Sequence, residues 1–397
     1  MIYHFAEFSL HLEQCELRRG GAPVPLEPQV FNLLVYLVEN RGRVVSKDDL
    51  IATVWGGRIV SDATLSSRIS AARHALDDSG EAQRVIRTMP RLGFRFVAEV
   101  AVEDDRTPEP AAEEAAPELP DQTVRFCRAA DGVCIAYATS GKGPPLVKAA
   151  NWLSHLEFDW ESPVWRPLMR AFTRDFFFVR YDERGNGLSD WEVANFSLDA
   201  FVTDLEAVVE AAGVDRFALY GESHGCPVSI AYAVRHPERV SRLVLYGGFA
   251  QGARSRGSQI DVAREEAITT LVREGWGQDN PAFRQIFTSQ LMPDATAEQM
   301  GWFNDLQRKT TSPENAARLR IAIDEIDVTE LLAQVRVPTL VLHRRGDSRQ
   351  PFEEGRRLGA MIPDAQFVAL EGRNHIILEH EPEWPRFLCE VRQFVLD

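Results

Sequence analysis

Ser223 lies in Gly221-Glu222-Ser223-His224-Gly225, directly after the apolar run Phe217-Ala218-Leu219-Tyr220. A serine hydroxyl is a poor nucleophile at neutral pH. It needs a base within hydrogen-bond reach and an acid that holds that base. Two later stretches supply these residue types. The apolar run Val337 to His343 gives way to Arg344-Arg345-Gly346-Asp347, and Gln366-Phe367-Val368-Ala369-Leu370 leads into Glu371-Gly372-Arg373-Asn374-His375. Each reactive residue thus follows a run short and apolar enough for a buried strand. In this arrangement Ser223 is the nucleophile, His375 takes its proton, and Asp347 orients and stabilises the imidazolium. Asp182, after an earlier strand, is a competing acid. Glu222, next to the nucleophile, would add a charge to the pocket. A helix starting near Cys226-Pro227 would point its free N–H groups at whatever the serine attacks.

The elements that must position these groups can be read from the same runs. Glycines two before and two after Ser223 remove the Cβ atoms that would clash in a tight strand-to-helix turn. The chain order serine, acid, histidine, each just past a strand, resembles the triad of the α/β-hydrolase family, over about Val124 to Asp397. The resemblance implies a doubly wound, mostly parallel sheet. From Ala253 to Leu332 strand signals vanish and helical stretches dominate, which suggests a helical cap over the site. That family often places His-Gly before an oxyanion-hole N–H. Here Ala150-Asn151 stands in its place, and the expected donors are the backbone N–H groups of Trp152 and His224. Lys148, in the early strand Pro145 to Ala150, is read as an edge or snorkelling position. Phe158, Trp160 and Trp165 are read as packing, and Arg180 to Asp190 and His236 as structural.

Composition bounds the rest. A chain of 397 residues with net charge −15 holds two or three domains, and its overall charge argues against binding nucleic acid along its whole surface. The five cysteines (Cys15, Cys127, Cys134, Cys226, Cys389) are scattered, so neither disulfides nor a metal site is expected, and no cofactor motif is present. No signal peptide or membrane-length apolar run is found, and the expected location is cytoplasmic. The charge is uneven. Arginines concentrate between Arg58 and Arg95, whereas Glu103 to Asp121 is acidic and rich in Pro and Ala, the composition of a flexible linker. The expected division is 1–99, a linker at 100–122, and 123–397 with a cap at about 253–332.

Before the linker, strand-like pieces near Phe5 to Leu10 and Glu16 to Arg18 turn at Gly20-Gly21. Pro28 opens a helix with Phe31, Leu34, Leu37 and Val38 on one face. Ser46 with Asp49 reads as a capping box starting a second helix that ends near Trp55-Gly56. Asp62 or Ser61 caps a third, with Leu65, Ile69, Ala72 and Leu76 inward and Ser66, Ser67, Ser70, Arg73 and His74 mainly outward. Val85 to Thr88 and Phe94 to Val97 then flank Pro90-Arg91-Leu92-Gly93 as a hairpin. Three helices followed by a basic hairpin form a winged helix. Leu26-Glu27-Pro28, Phe31-Asn32-Leu33-Leu34, Val45-Ser46, Val54-Trp55, Ile86-Arg87-Thr88 and Gly93-Phe94-Arg95-Phe96 resemble the OmpR/PhoB-type DNA-binding domain of bacterial regulators. The resemblance implies double-stranded DNA as partner, with Ser66, Ser67, Ser70, Arg73 and His74 on the groove helix and Arg87, Thr88, Arg91 and Arg95 on the wing.

The hydrolase-like domain occupies the input position of such a regulator. The reading is therefore a DNA-binding transcriptional regulator that senses, and slowly hydrolyses, a small ester, lactone or acyl molecule, and that pairs as a homodimer. The alternative is an active serine hydrolase with an accessory DNA-binding module.

Overall fold

The computed structural model describes residues 2–12, 14, 16–54, 62–90, 92–103, 120–257, 259–278 and 280–397. Cys15, the Trp55-Gly56 end expected for the second helix, Arg58, Ser61, Arg91 and most of the expected linker lie outside them. The chain divides into two compact units, Met1–Ala115 with Pro385–Asp397, and Ala116–Trp384. The expected division therefore changes at its far end, where the last residues belong with the first unit rather than with 123–397.

In the first unit, β1 (Ile2–Phe5), β2 (Phe8–His11), β3 (Glu16–Arg19) and β4 (Ala22–Val24) form an antiparallel meander. Alternation places Tyr3, Phe5, Phe8, Leu10 and Leu17 on its buried face. Pro28 opens α1 (Pro28–Glu39), its fixed φ suiting the first turn. The capping box at α2 (Lys47–Val54) is present: Asp49 N–H donates to Ser46 Oγ (3.0 Å) and Ser46 N–H to Asp49 Oδ2 (3.4 Å). Helix α3 (Asp62–Ala75) buries Leu65, Ile69 and Ala72, with Leu76 just beyond its end. The wing is β5 (Ile86–Met89) paired with β6 (Gly93–Phe96), and β7 (Ala101–Glu103) returns to pair with β1. Gly93 has φ +132°, and a Cβ there would lie 2.0 Å from Val45 O. Only glycine therefore allows the two 2.8 Å bonds between Val45 and Phe94 that pin the wing to the loop before α2. The C-terminal helix Trp384–Leu396 adds Cys389, 1 % exposed, to this core, and Arg392 reaches Glu16 at 3.8 Å.

The second unit is one eight-stranded sheet with helices on its faces. In chain order it contains β8 (Thr123–Arg128), β9 (Cys134–Ser140), β10 (Pro145–Lys148), α4 (Leu156–Trp160), α5 (Arg166–Asp175), β11 (Phe177–Tyr181), α6 (Leu198–Ala211), β12 (Phe217–Glu222), α7 (Gly225–Arg235) and β13 (Val240–Tyr246). Among the described residues, the elements between β13 and the next strand are the helices α8 (Gln259–Gly275), α9 (Pro281–Leu291), α10 (Ala297–Thr310), α11 (Pro313–Asp324) and α12 (Thr329–Leu332). Then come β14 (Thr339–Arg344), α13 (Phe352–Met361) and β15 (Gln366–Leu370). The order β15-β14-β13-β12-β10-β11-β9-β8 is parallel from β15 to β11, with β9 and β8 antiparallel at one edge. Every residue of β12 and β14 is buried, as expected for parallel strands covered on both faces. Their C-terminal ends deliver Ser223 and Asp347.

Two expectations are settled by this topology. Lys148 is neither at an edge nor snorkelling, because β10 sits between β11 and β12. Its ammonium is instead retained inside by a hydrogen bond to Asn151 Oδ1, by Glu222 at 3.8 Å and by the Trp165 ring at 5.5 Å. The turn after β11 is structural, as read. The fully buried Arg184 guanidinium holds Asp204 with two bonds (2.7 and 2.6 Å) and Asp131 with one (2.7 Å). Among the described residues no helix is long and apolar enough to cross a membrane.

Asp78 ties the end of the helical part of the first unit to its wing. One carboxylate oxygen accepts the N–H of Arg84 (2.8 Å), the other those of Val85 (2.9 Å) and Ile86 (3.0 Å). Burial alone would raise its pKa, but these bonds outweigh burial and hold it below the usual value. The Asp78→Asn side chain would set an NH2 against backbone donors, and we expect a loss of about 2 kcal/mol in stability of this unit, read by denaturant unfolding. Because the folded pKa is lowered, the native carboxylate stabilises fully above its unfolded value of about 3.9 and loses that contribution as pH falls through the folded value. The gap between the two proteins should therefore narrow below about pH 4. A gap that is constant with pH would show that the carboxylate charge is not what matters.

Candidate active site and DNA-binding surface

Ser223 sits at φ +53°, a left-handed conformation that a residue with a side chain adopts at a cost. Neighbouring glycines make it feasible. A Cβ at Gly221 would lie 2.7 Å from Gly225 O and from Ser229 Oγ, and one at Gly225 would lie 3.0 Å from Ala150 O. Strand β12, the serine and the start of α7 are therefore packed backbone to backbone against the Ala149 to Trp152 loop. Ser223 N–H donates to Tyr246 O at 2.9 Å, which fixes the turn to β13.

Asp347 and His375 meet beside it. Both carboxylate oxygens lie within hydrogen-bond distance of His375 Nδ1 (2.8 and 3.0 Å), and Oδ1 also accepts the N–H groups of Arg349 and Gln350, each at 2.8 Å. Burial would raise the Asp347 pKa, but the attraction of His375 and these donors together keep it below the ordinary carboxylate value. An ionised Asp347 accepts from Nδ1 and leaves Nε2 as the ring nitrogen not engaged by the acid. His375 Nε2 is buried and has no hydrogen-bond partner among the described residues, so the step from imidazole to the Ser223 hydroxyl is unmade in this conformation. Asp182 is committed elsewhere: its Oδ2 accepts the N–H groups of Leu188 (2.8 Å) and Leu156 (3.1 Å). Glu222 is buried beside the pocket, and its carboxyl is pushed up by burial against the pull of Lys148 and His375.

The two expected oxyanion donors differ. No hydrogen bond to His224 N–H occurs among the described residues. Trp152 N–H donates to His224 Nδ1 at 3.0 Å, and the other ring nitrogen lies 2.7 Å from Glu183 Oε1. Sequence reasoning placed Glu183 in a structural turn and missed this contact. It also missed a buried charge cluster on the cavity wall. Arg320 bonds Glu265, and Arg349 reaches Glu265 and Asp324, each at 3.3 Å, tying α8 and α11 to the loop that carries Asp347. The two arginines and two acids balance, as burial requires. The cavity is also lined by Phe287, Leu291 and Ile323 from the helices between β13 and β14, and its volume is about 30 Å³. That is room for one or two waters. Of the three aromatics read as packing, Trp165 is buried, while Phe158 stacks on Trp302 at 4.5 Å. His236 bonds Glu206 at 2.8 Å, a structural contact.

On the first unit, Ser66, Ser67, Ser70 and His74 are exposed along α3, and Arg87 and Arg95 are exposed and directly opposite each other on the wing. Arg73 turns inward instead. Its guanidinium donates to Ile86 O (2.9 and 3.2 Å) and to Thr88 Oγ1 (2.8 Å), bracing α3 against the wing. The length of its side chain explains this: Arg73 lies near the end of α3 and bends back to a carbonyl of β5.

Residues 159–382 match the family model of the alpha/beta hydrolase fold, and residues 21–96 match that of the C-terminal domain of transcriptional regulatory proteins. The chain is 30 % identical over 268 residues to a pyrrolizixenacetamide deacetylase of Xenorhabdus hominickii, covering 66 % of this chain and 94 % of that one. It is 27 % identical over 250 residues to the AB hydrolase superfamily protein YisY of Bacillus subtilis, covering 61 % and 89 %. Among solved structures, the esterase RhEst1 from Rhodococcus sp. is similar at 26 % identity and TM-score 0.54, covering 69 % of this chain and 98 % of the esterase.

Gly247 has φ +59°, and a Cβ there would come within 3.1 Å of His375 Cε1. In Gly247→Ala the imidazole must give by a few tenths of an ångström, and since a misplacement near 1 Å at a reacting group costs about 10²-fold in rate, a loss of about threefold to tenfold follows. We expect labelling of Ser223 by a fluorophosphonate to slow by that order while the protein stays folded. An unchanged labelling rate would show that His375 does not activate the serine.

Proposed function

Because the chain belongs to the alpha/beta hydrolase fold family and joins that fold to a transcriptional-regulator DNA-binding domain, we propose that it is a sequence-specific DNA-binding regulator whose hydrolase-fold unit takes a small ester, lactone or acyl ligand as its signal. The observation that carries this reading is the small cavity beside Ser223, about 30 Å³ and lined by helices, with α8 and α11 latched to the Asp347 loop. At that volume an acyl ligand fits only if the lining moves. Binding and a change of conformation are then linked, and a ligand shifts an equilibrium by as much as its affinities for the two states differ. Turnover is slow in this reading, since His375 Nε2 has no bond to the nucleophile at rest. Such bonds often tighten only in the complex, so slow hydrolysis is compatible with the geometry.

The DNA surface in this reading comprises Ser66, Ser67, Ser70 and His74 on α3 with Arg87, Arg91 and Arg95 on the wing. Arg73 and Thr88 hold the two together. The protein acts in the cytoplasm, pairing on repeated sites as a homodimer. A second reading, an active serine hydrolase with an accessory DNA-binding module, is favoured by the intact Asp347–His375 pair and by relatives named as a deacetylase and an esterase.

The two readings separate when ester hydrolysis and affinity for the protein's own upstream DNA are measured together, with and without ligand. We expect Ser223→Ala to lose p-nitrophenyl ester hydrolysis by several orders of magnitude and to keep its ligand-dependent change in DNA affinity. Simultaneous loss of both would mean that turnover or an acyl-enzyme is the signal.

For the DNA surface, replacing Arg87 and Arg95 by Ala should weaken binding almost uniformly across sequences. It should also flatten the dependence of log affinity on log salt by about two. An unchanged salt slope would place the phosphate contacts elsewhere.

A further inference from the structure

An oxyanion hole works when N–H groups are free to point at the oxygen that becomes charged. The loop that replaces His-Gly offers Trp152 N–H, but this hydrogen is already used: it goes to His224 Nδ1 at 3.0 Å. The tautomer follows from the contacts. A nitrogen that accepts an N–H carries no proton, so the ring proton is on Nε2, where Glu183 Oε1 accepts it at 2.7 Å. The imidazole is 1 % exposed and flanked by Phe201, with ring centroids 6.1 Å apart, so it has no solvent to turn into. Its position is set by sequence, since His224 follows the nucleophile directly and Gly225 brings the elbow against Ala150 O.

We propose that His224 is a positioning residue that restrains the hydrolase site: its imidazole holds the Trp152 N–H away from the substrate oxygen and leaves His224 N–H as the single donor. This rests on the reading of Ser223 as nucleophile. Glu183 keeps the ring in the accepting tautomer. An entering carbonyl must take the Trp152 hydrogen from an acceptor of the same chain, which leaves Nδ1 buried without a partner and offsets much of the gain. A ligand is thus bound more readily than it is cleaved, which suits a receptor descended from a hydrolase fold.

The test uses the full chain and p-nitrophenyl butyrate, with Ser223→Ala as background. In His224→Gln the amide nitrogen keeps a donor for Glu183, and nothing remains at the Nδ1 position to accept from Trp152. We expect kcat to rise about 10²-fold with KM changed less than about threefold, the pattern of an interaction gained only in the transition state. In His224→Asn an acceptor remains near the Nδ1 position, and we expect a gain at least about tenfold smaller than that of His224→Gln. Should either variant fail to fold, 15N shifts of labelled histidine in the wild type test the same point, with Nδ1 of His224 expected unprotonated at neutral pH. A fall in kcat for His224→Gln, or a protonated Nδ1, overturns the proposal, because the ring then supports the productive loop. Ser223-dependent hydrolysis that does not rise in His224→Gln overturns the restraint alone. Absence of any Ser223-dependent rate in all three proteins overturns the nucleophile reading and this inference with it.

Discussion

A serine held at φ +53° at the end of a fully buried strand is the constraint from which the second unit is built. The conformation persists because the surroundings over-determine it: β13 accepts the Ser223 N–H, and bare glycine backbone on both sides lets the loop after β10 close against the elbow. The same closeness brings the His224 ring against the loop. The strained turn and the buried His224 ring share one origin. Any substitution that relaxes the turn would also move the ring that occupies Trp152.

Much of this was legible in the residues. The buried parallel strands β12 and β14 read as unbroken apolar runs, and the edge strand β15 as a shorter one, so their ends, and with them the positions of Ser223, Asp347 and His375, could be placed from the run pattern. The helix stripe through Leu65, Ile69 and Ala72 was equally plain. Lys148 was not. Nothing in Pro145 to Ala150 indicates that the strand lies at the centre of the sheet, because strand order depends on crossovers and not on local pattern. Arg73 failed for a related reason. Helical spacing says which way a Cα–Cβ bond points, but a long side chain can bend back to a carbonyl contributed thirteen residues later.

Buried charge was the least legible feature. Glu183, Glu265, Arg320 and Asp324 look like ordinary surface residues in sequence, and their burial is acceptable only because each finds a partner from a distant segment. Partners of that kind are set by the tertiary arrangement. One set latches α8 and α11 to the Asp347 loop, and the other holds the His224 ring beside Ser223.

The C-terminal helix has a consequence for how the molecule is made. Cys389 is buried in the core that contains Phe5, Leu34 and Phe96, yet it is translated after every residue of the hydrolase-fold unit. A ribosome delivers the N-terminal segment first, and that segment must wait, with one side of its core open, until the last helix emerges. Chains that stop before Cys389 therefore lack part of that core. Only a polypeptide that already carries its complete hydrolase-fold unit can close that core.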